Sequence, residues 1–288
     1  MSPPATRQLL DQLQRSGILD RLRHGFIWSA AGAVFSRGVL LLAMIIASRL
    51  LGRELYGELG IIQSTVETLG VLAGFGVGLT ATKHVAEYRT GEPERAGGVI
   101  ALLLIFSGCF GAAAGIAMYL ASDWLAVEVL QAPHLAALLR VGAVSVFFST
   151  LVGAQSGILS GFEAFRLSAR VNLVAGLISL PLIVGATYAL GLHGAVWALA
   201  GSALIQCLFN QVAITRETGK FGIRLRLRRD RRIAGMLWRF SLPAALAGGL
   251  VAPVNWLCNV KLVEQPEGYG ELGVYTAASQ WFLLLLFL

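Results

Sequence analysis

Apolar runs of about 20 residues, separated by short charged connections, constrain the fold of this chain more than any other feature. The chain is 56% hydrophobic and 14% charged, whereas a soluble domain carries about 25% charged residues. A run of about 20 apolar residues is long enough to cross a bilayer as a helix. The sequence therefore predicts an all-α integral membrane protein, with spans near 26–51, 55–80, 97–121, 136–160, 168–190, 193–215, 239–263 and 269–288.

Two of these segments begin with the same sequence, because residues 56–60 and 269–273 both read Tyr-Gly-Glu-Leu-Gly. A helix opening that repeats after an even number of spans indicates two homologous lobes, a common design among transporters. We therefore expect a multi-helix bundle made of one six-helix lobe and the first two helices of a second lobe, which is cut off at Leu288.

The expected domains follow from this repeat and from the charge pattern. A cytoplasmic amphipathic segment precedes the first span, and a basic cytoplasmic loop joins the two lobes. The predicted bounds are 1–25 for the amphipathic segment, 26–216 for the six-helix lobe, 217–238 for the inter-lobe loop and 239–288 for the incomplete second lobe.

The positive charges predict the orientation. Eighteen of the 23 Lys and Arg residues lie in the N-terminal segment and in the even-numbered connections. Membrane proteins keep such residues on the cytoplasmic side, so the N-terminus and the even connections are predicted to be cytoplasmic. The basic run at 224–232 joins two predicted spans, where it would contact anionic membrane lipids and not nucleic acid.

Glycines recur every four residues in the second and fourth predicted helices. The two runs are Gly70, Gly74 and Gly78, and Gly153, Gly157 and Gly161. Small residues on one helical face let two backbones approach closely in lipid. Each run is therefore predicted to pack against a neighbouring helix.

Two charged residues fall deep within the first two predicted spans. A central arginine costs roughly 2.5–3.5 kcal/mol on insertion scales, so Arg37 should face a bundle interior or a wet cavity. Glu67 shares a helical stripe with Gln63, Gly70 and Gly74, which predicts that it faces protein. Two interpretations remain open: Arg37 binds an anionic substrate group while Glu67 couples transport to protons or cations, or the two form an ion pair.

Amides within the apolar segments are further candidates for lining a cavity. The weaker candidates are Gln155, Asn172, Gln206, Asn210, Asn255 and Asn259. The predicted substrate-binding residues are Arg37, Glu67, Gln63, Asn172, Asn255 and Asn259. The alternative is that these amides bond neighbouring helices. Since no phosphate-binding loop, metal-ligand spacing or catalytic constellation is visible, we expect a transporter without a cofactor, and coupling to protons or sodium ions stays open.

Several segments resemble the bacterial polysaccharide flippases, which export O-antigen and related lipid-linked units. This family belongs to the multidrug/oligosaccharidyl-lipid/polysaccharide exporter superfamily. Three segments carry the resemblance: Ala-Ser-Arg-Leu-Leu-Gly at 47–52 followed by Tyr56-Gly57, Gly-Val-Gly-Leu-Thr-Ala at 76–81 with the connection that follows, and Gly-Ile-Leu-Ser-Gly-Phe-Glu-Ala-Phe-Arg at 157–166.

This resemblance implies two lobes around a central cavity that opens alternately to either side of the bacterial inner membrane. It implies a polyprenyl-pyrophosphate-linked oligosaccharide as substrate, moved from the cytoplasmic to the outer leaflet. A polysaccharide polymerase or other glycan-assembly proteins are the implied partners. Family members are longer than this chain, so a fragment or a truncated product is expected.

Two other functions remain open. A drug or cation antiporter of the same superfamily would be favoured by an acidic cavity, whereas the cationic Arg37 favours an anionic substrate. A non-transporting membrane subunit of a glycan-assembly complex is the other alternative, although the repeated helix opening speaks against it.

Overall fold

The computed structural model describes residues 18–74, 76–225 and 249–285, and within them the side chains between 38 and 282. These residues form helices and no strands, which confirms the predicted all-α bundle. The helices are α1 Ile18–Gly74, α2 Val77–Tyr88, α3 Pro93–Trp124, α4 Ala136–Gly161, α5 Phe165–Lys220, α6 Val251–Val263 and α7 Gly268–Leu285. By length and composition, three stretches of the described chain could cross a membrane: Pro93–Val129, Pro133–Gly161 and Phe165–Lys220.

Helices α1 and α5 each consist of two arms that meet at a glycine. Gly52 has φ 77° and ψ 178°, and Gly191 has φ 59° and ψ −135°. A side chain would be strained at such positive φ values, so glycine permits both reversals. The arms 18–51, 53–74, 165–190 and 192–220 correspond to the first, second, fifth and sixth predicted spans.

The second predicted span is shorter than its apolar pattern suggests. The second arm of α1 ends at Gly74, Gly76 adopts a left-handed conformation with φ 63°, and α2 continues to Tyr88. The prediction of one continuous helix over 55–80 is therefore wrong, because hydropathy does not reveal a left-handed glycine. Gly78 consequently belongs to a different helix from Gly70.

Alternate connections gather at opposite ends of the bundle, as a chain that crosses a membrane back and forth requires. One apolar cluster joins the residues beside the odd-numbered connections, among them Leu51, Leu130, Leu135, Leu192 and Val263. A second cluster joins those beside the even-numbered connections, among them Val85, Phe162 and Ile223. We call these two ends of the bundle the odd end and the even end.

Close packing between α2 and α4 confirms part of the predicted glycine stripe. A Cβ atom at Gly157 would overlap the carbonyl group of Gly78, and one at Gly161 would lie 2.7 Å from the Val85 Cβ. Thr82 Oγ1 also donates a hydrogen bond to the Gly157 carbonyl at 3.1 Å. A Cβ at Gly78 would lie 3.0 Å from the Gly153 carbonyl oxygen, so α2 also contacts the backbone at this position, whereas a Cβ at Gly153 itself would meet open space.

The predicted domain bounds remain predictions. Residues 1–17 of the amphipathic segment and 226–238 of the inter-lobe loop lie outside the described residues. Helix α5 extends to Lys220, into the first part of that predicted loop.

Candidate functional site

The two copies of the repeated pentapeptide contact each other at the odd end. A Cβ atom at Gly57 would overlap the Tyr269 carbonyl oxygen, and one at Gly273 would overlap the Arg53 carbonyl oxygen. A Cβ at Gly60 would lie 2.6 Å from the Thr276 hydroxyl. Because the second arm of α1 and α7 both begin at the odd end, they run in the same direction where they cross. We call this contact the repeat crossing.

An arginine spans the repeat crossing at its exposed edge. Arg53 Nη2 lies 2.9 Å from Glu267 Oε2 and 3.7 Å from Glu271 Oε1. All three side chains are at least half exposed, and exposed ion pairs contribute only about 0–1 kcal/mol. The backbone contact between glycines therefore determines the geometry, and the ion pairs add to it.

Helix α6 is bonded to the same arm of α1, farther from the odd end. Trp256 Nε1 donates a hydrogen bond to Thr65 Oγ1 at 2.8 Å. The Thr68 hydroxyl donates to the Ala252 carbonyl at 3.1 Å. Both helices that were predicted to open a second lobe thus pack on one arm of the first.

A buried acid lies within the repeat crossing. The Glu58 side chain is 11% exposed, and its Oε1 lies 2.9 Å from Nε2 of His134, whose side chain is 61% exposed. The other carboxylate oxygen of Glu58 is buried without a hydrogen-bond partner among the described residues. Sequence reasoning missed this pair, because its members are distant in the sequence and its only signal was an acid at the start of an apolar helix.

Glu67 lines a cavity of about 330 Å³ between α1, α2 and α4. Its walls comprise Glu67, Gly70, Val71, Gly74, Gly76, Val77, Gly78, Leu79, Ser149, Thr150, Gly153 and Ala154. Glu67 is exposed, so the prediction that it faces protein is wrong. The reason is that the helix break after Gly74 and the glycines around it leave open space beside the carboxylate.

Of the two predicted neighbours of Glu67, the structure describes the side chain of Gln63 but not that of Arg37. Gln63 Nε2 lies 3.9 Å from the Met44 sulfur on the first arm of α1, within that helix pair. Glu67 forms no ion pair with another described residue. The Arg37 side chain lies outside the described part of the chain, so the proposed Arg37–Glu67 pair remains a prediction.

Asn172 belongs to a cluster of amides between α4 and the two arms of α5. Gln206 Nε2 donates to Asn172 Oδ1 at 2.8 Å and to Asn210 Oδ1 at 3.1 Å. Gln155 Nε2 donates to Gln211 Oε1 at 3.1 Å. The Gln206–Asn172 and Gln155–Gln211 bonds join neighbouring helices, which is the alternative that the sequence left open.

Asn255 and Asn259 lie one turn apart on α6, on either side of the residue bonded to Thr65. Asn255 is exposed and Asn259 is half-buried. Their helix faces the arm of α1 that carries Gln63 and Glu67, whereas Asn172 takes part in the amide cluster. The five predicted site residues whose side chains are described therefore do not form one cluster.

Comparison with known proteins gives a family and relatives. The family model described as polysaccharide biosynthesis protein matches residues 22–287. The EPS I polysaccharide export inner membrane protein EpsE of Ralstonia nicotianae (strain ATCC BAA-1114 / GMI1000) is 25% identical over 264 residues. That alignment covers 89% of this chain and 58% of the relative, so the chain spans little more than half of that protein's length.

Solved transporter structures share the fold. An inward-facing conformation of a multidrug resistance MATE family transporter of the MOP superfamily matches with a TM-score of 0.71 and 23% identity, over 86% of this chain and 58% of that one. An outward-facing conformation matches with a TM-score of 0.57 and 18% identity, over 90% and 68%. At these identities the likeness establishes the helical transporter fold.

Proposed function

Because the chain belongs to the polysaccharide biosynthesis protein family, we propose that it translocates polyprenyl-pyrophosphate-linked oligosaccharide units across the bacterial inner membrane. The units move from the cytoplasmic to the outer leaflet during surface polysaccharide biosynthesis. The name of the EpsE relative, a polysaccharide export inner membrane protein, supports an exporter of this class. A polysaccharide polymerase or another glycan-assembly protein consumes the exported unit.

The repeat crossing is the observation that carries this proposal. It joins α7 to the second arm of α1 at the odd end, whereas farther along the same helices Leu72 and Phe282 are exposed. Contact at one end and exposed surface beyond it is what a transporter closed on one side presents. A second state, in which the crossing separates, completes alternating access.

The substrate has an anionic pyrophosphate and an apolar polyprenyl tail, and the chain offers a group for each. Arg37 lies on the first arm of α1 within an apolar segment, and guanidinium groups bind phosphates with two parallel hydrogen bonds. The cavity beside Glu67 has mostly apolar walls of glycine, alanine, valine and leucine. These features support a lipid-linked anion as the substrate.

A drug or cation antiporter is the second candidate, and Glu67 is the observation that favours it. This carboxylate is exposed on the cavity wall and unpaired among the described residues. A carboxylate in such a place attracts cations and exchanges protons. The two candidates differ in which of Arg37 and Glu67 is indispensable.

Substitution of these two residues separates the candidates. In a bacterium that lacks its own flippase, Arg37→Ala should lower surface glycan by on the order of tenfold, since one lost charge-assisted contact is worth about 1.5–3 kcal/mol. Arg37→Lys should keep part of the activity, because lysine retains the charge and loses the bidentate geometry. Surface glycan is measured by immunoblot at matched protein levels.

A double substitution tests the ion-pair interpretation. If Arg37 only neutralises Glu67, Arg37→Ala combined with Glu67→Ala should recover both thermal stability and export. A fully active double variant would therefore exclude Arg37 from substrate binding. Loss of cationic dye export in Glu67→Gln, with glycan export intact, would instead support the antiporter.

The proposed orientation places the even end in the cytoplasm. We expect Glu54→Cys, at the odd end, to react with an impermeant thiol reagent in intact cells. Lys220→Cys, at the even end, should react only after permeabilisation, in each case without the native cysteines. Both positions are exposed, so burial does not confound the comparison, and the opposite labelling pattern would reverse the topology.

A further inference from the structure

Glu58 lies between the two glycines of the repeat crossing and is nevertheless bonded to a different part of the molecule. Its carboxylate contacts His134, in the connection between α3 and α4, at 2.9 Å. Gly57 and Gly60, on either side of it, approach α7. One turn of helix thus contacts both the connection between α3 and α4 and the helix that carries the second repeat.

The pair extends from water to the interior of the odd end. The imidazole is 61% exposed, whereas the Glu58 side chain is 11% exposed. The second carboxylate oxygen is buried without a hydrogen-bond partner among the described residues. A buried unpaired carboxylate oxygen is costly, and His134 supplies the one side-chain hydrogen bond that the described residues offer this acid.

Helix α7 also contacts the connection that carries His134. The Tyr269 hydroxyl of α7 donates a hydrogen bond to the Leu130 carbonyl at 2.7 Å, in the same connection as His134. The Glu58 carboxylate lies close enough to Tyr269 to act on it electrostatically. Separation of α7 from the second arm of α1 would break this hydrogen bond and change the surroundings of Glu58 and His134.

We propose that Glu58 and His134 form a proton-binding site whose occupancy is linked to the repeat crossing, an inference that rests on the proposed transport function. With the crossing closed, ionised Glu58 is neutralised when His134 carries protons on both ring nitrogens. When the crossing separates, Glu58 becomes hydrated and the Nε2 proton passes to water at the odd end. The N–H bond breaks, its electron pair stays on Nε2, and the proton forms an O–H bond with water.

The other charged groups near Glu58 and His134 would not produce the proposed proton-linked change in the repeat crossing. Tyr269 faces it from α7, and Glu54 and Arg53 precede it on its own helix. Arg53 is already paired with Glu267 and Glu271. Among these groups and the pair itself, histidine is the side chain whose charge ordinarily changes between about pH 5 and 8, so we expect the link to act in this range.

The test measures the repeat crossing directly and needs no glycan. Nitroxide labels replace Leu55 on α1 and Val274 on α7, both exposed, in protein whose three native cysteines are alanine. Dipolar broadening reports the ratio of separated to closed molecules in liposomes. Raising the pH from about 5.5 to about 8 should increase this ratio about tenfold, the change expected when one proton-linked contact of about 1.4 kcal/mol is lost.

Two variants and a matched control test whether Glu58 and His134 form the proton-binding site. Glu58→Gln keeps a hydrogen-bond acceptor for the imidazole and removes the charge, and His134→Gln removes the ionisable ring at an exposed position. Both should reduce the pH response to less than about twofold, whereas Glu54→Gln, one turn away, should retain it. If Glu58→Gln fails to fold, the pH response of His134→Gln alone tests the proposal.

An unaltered pH response in both Gln variants, or its absence from the unsubstituted protein, would overturn the proton site. The proposed function fails separately, since a chain that does not export glycan can still show the pH-linked change in label distance. Conversely, glycan export that persists without any pH response would leave the flippase proposal standing and remove this site.

Discussion

Gly57→Ala is expected to hold the repeat helices apart and to lower glycan export by on the order of tenfold. The added methyl group would overlap the Tyr269 carbonyl oxygen, a backbone atom that no rotamer change can move. Overpacking of this kind costs about 1–3 kcal/mol, and about 1.4 kcal/mol shifts an equilibrium tenfold. Surface glycan and the label separation across the crossing provide the two measurements.

Gly185→Ala is the matched control for this prediction. Gly185 also lies within a helix, and a Cβ there meets nothing within 4 Å, so export should be unchanged. Gly273→Ala should reproduce the effect of Gly57→Ala from the other side of the crossing, because its methyl group would overlap the Arg53 carbonyl. Normal export by both crossing variants would show that the closed contact is not part of the transport cycle.

Gly157→Ala is expected to destabilise the bundle by about 1–3 kcal/mol, because a Cβ there would overlap the Gly78 backbone. The same substitution at Gly153, one turn earlier on α4, should be neutral or stabilising by up to about 1 kcal/mol, since alanine is the better helix former. Thermal unfolding in detergent, followed by circular dichroism, measures both. Equal melting temperatures would contradict the packing at Gly157.

Gly153 and Gly157 show what helical periodicity predicts and what it leaves undetermined. Both follow the same four-residue spacing, which predicts a shared helix face. Whether that face meets another backbone depends on where the partner helix passes. The break between Gly74 and Gly76 moves α2 onto Gly157 and leaves the cavity beside Gly153, and no property of α4 encodes that break.

The sequence predicted the candidate site only in part, because it shows which residues are polar within a span but not which residues they contact. An acid in an apolar helix marks Glu67 from the sequence, and the amides of α4 and α5 were visible as polar residues in spans. Their partners depend on helix rotation and on contacts between distant residues. The structure therefore exposes Glu67 to a cavity and bonds Asn172 to Gln206, whereas the stripe alone placed Glu67 against protein.

The sequence by itself determined that the chain is a helical membrane bundle with alternating connections and a repeated helix opening, because apolar run length and charge placement act locally along the chain. Only the tertiary structure decided that the two repeats pack on each other and that Glu58 meets His134 there. In lipid the hydrophobic effect does not draw helices together, so small residues and polar contacts select the neighbours. Those choices depend on the shapes of both partners, which neither segment specifies alone.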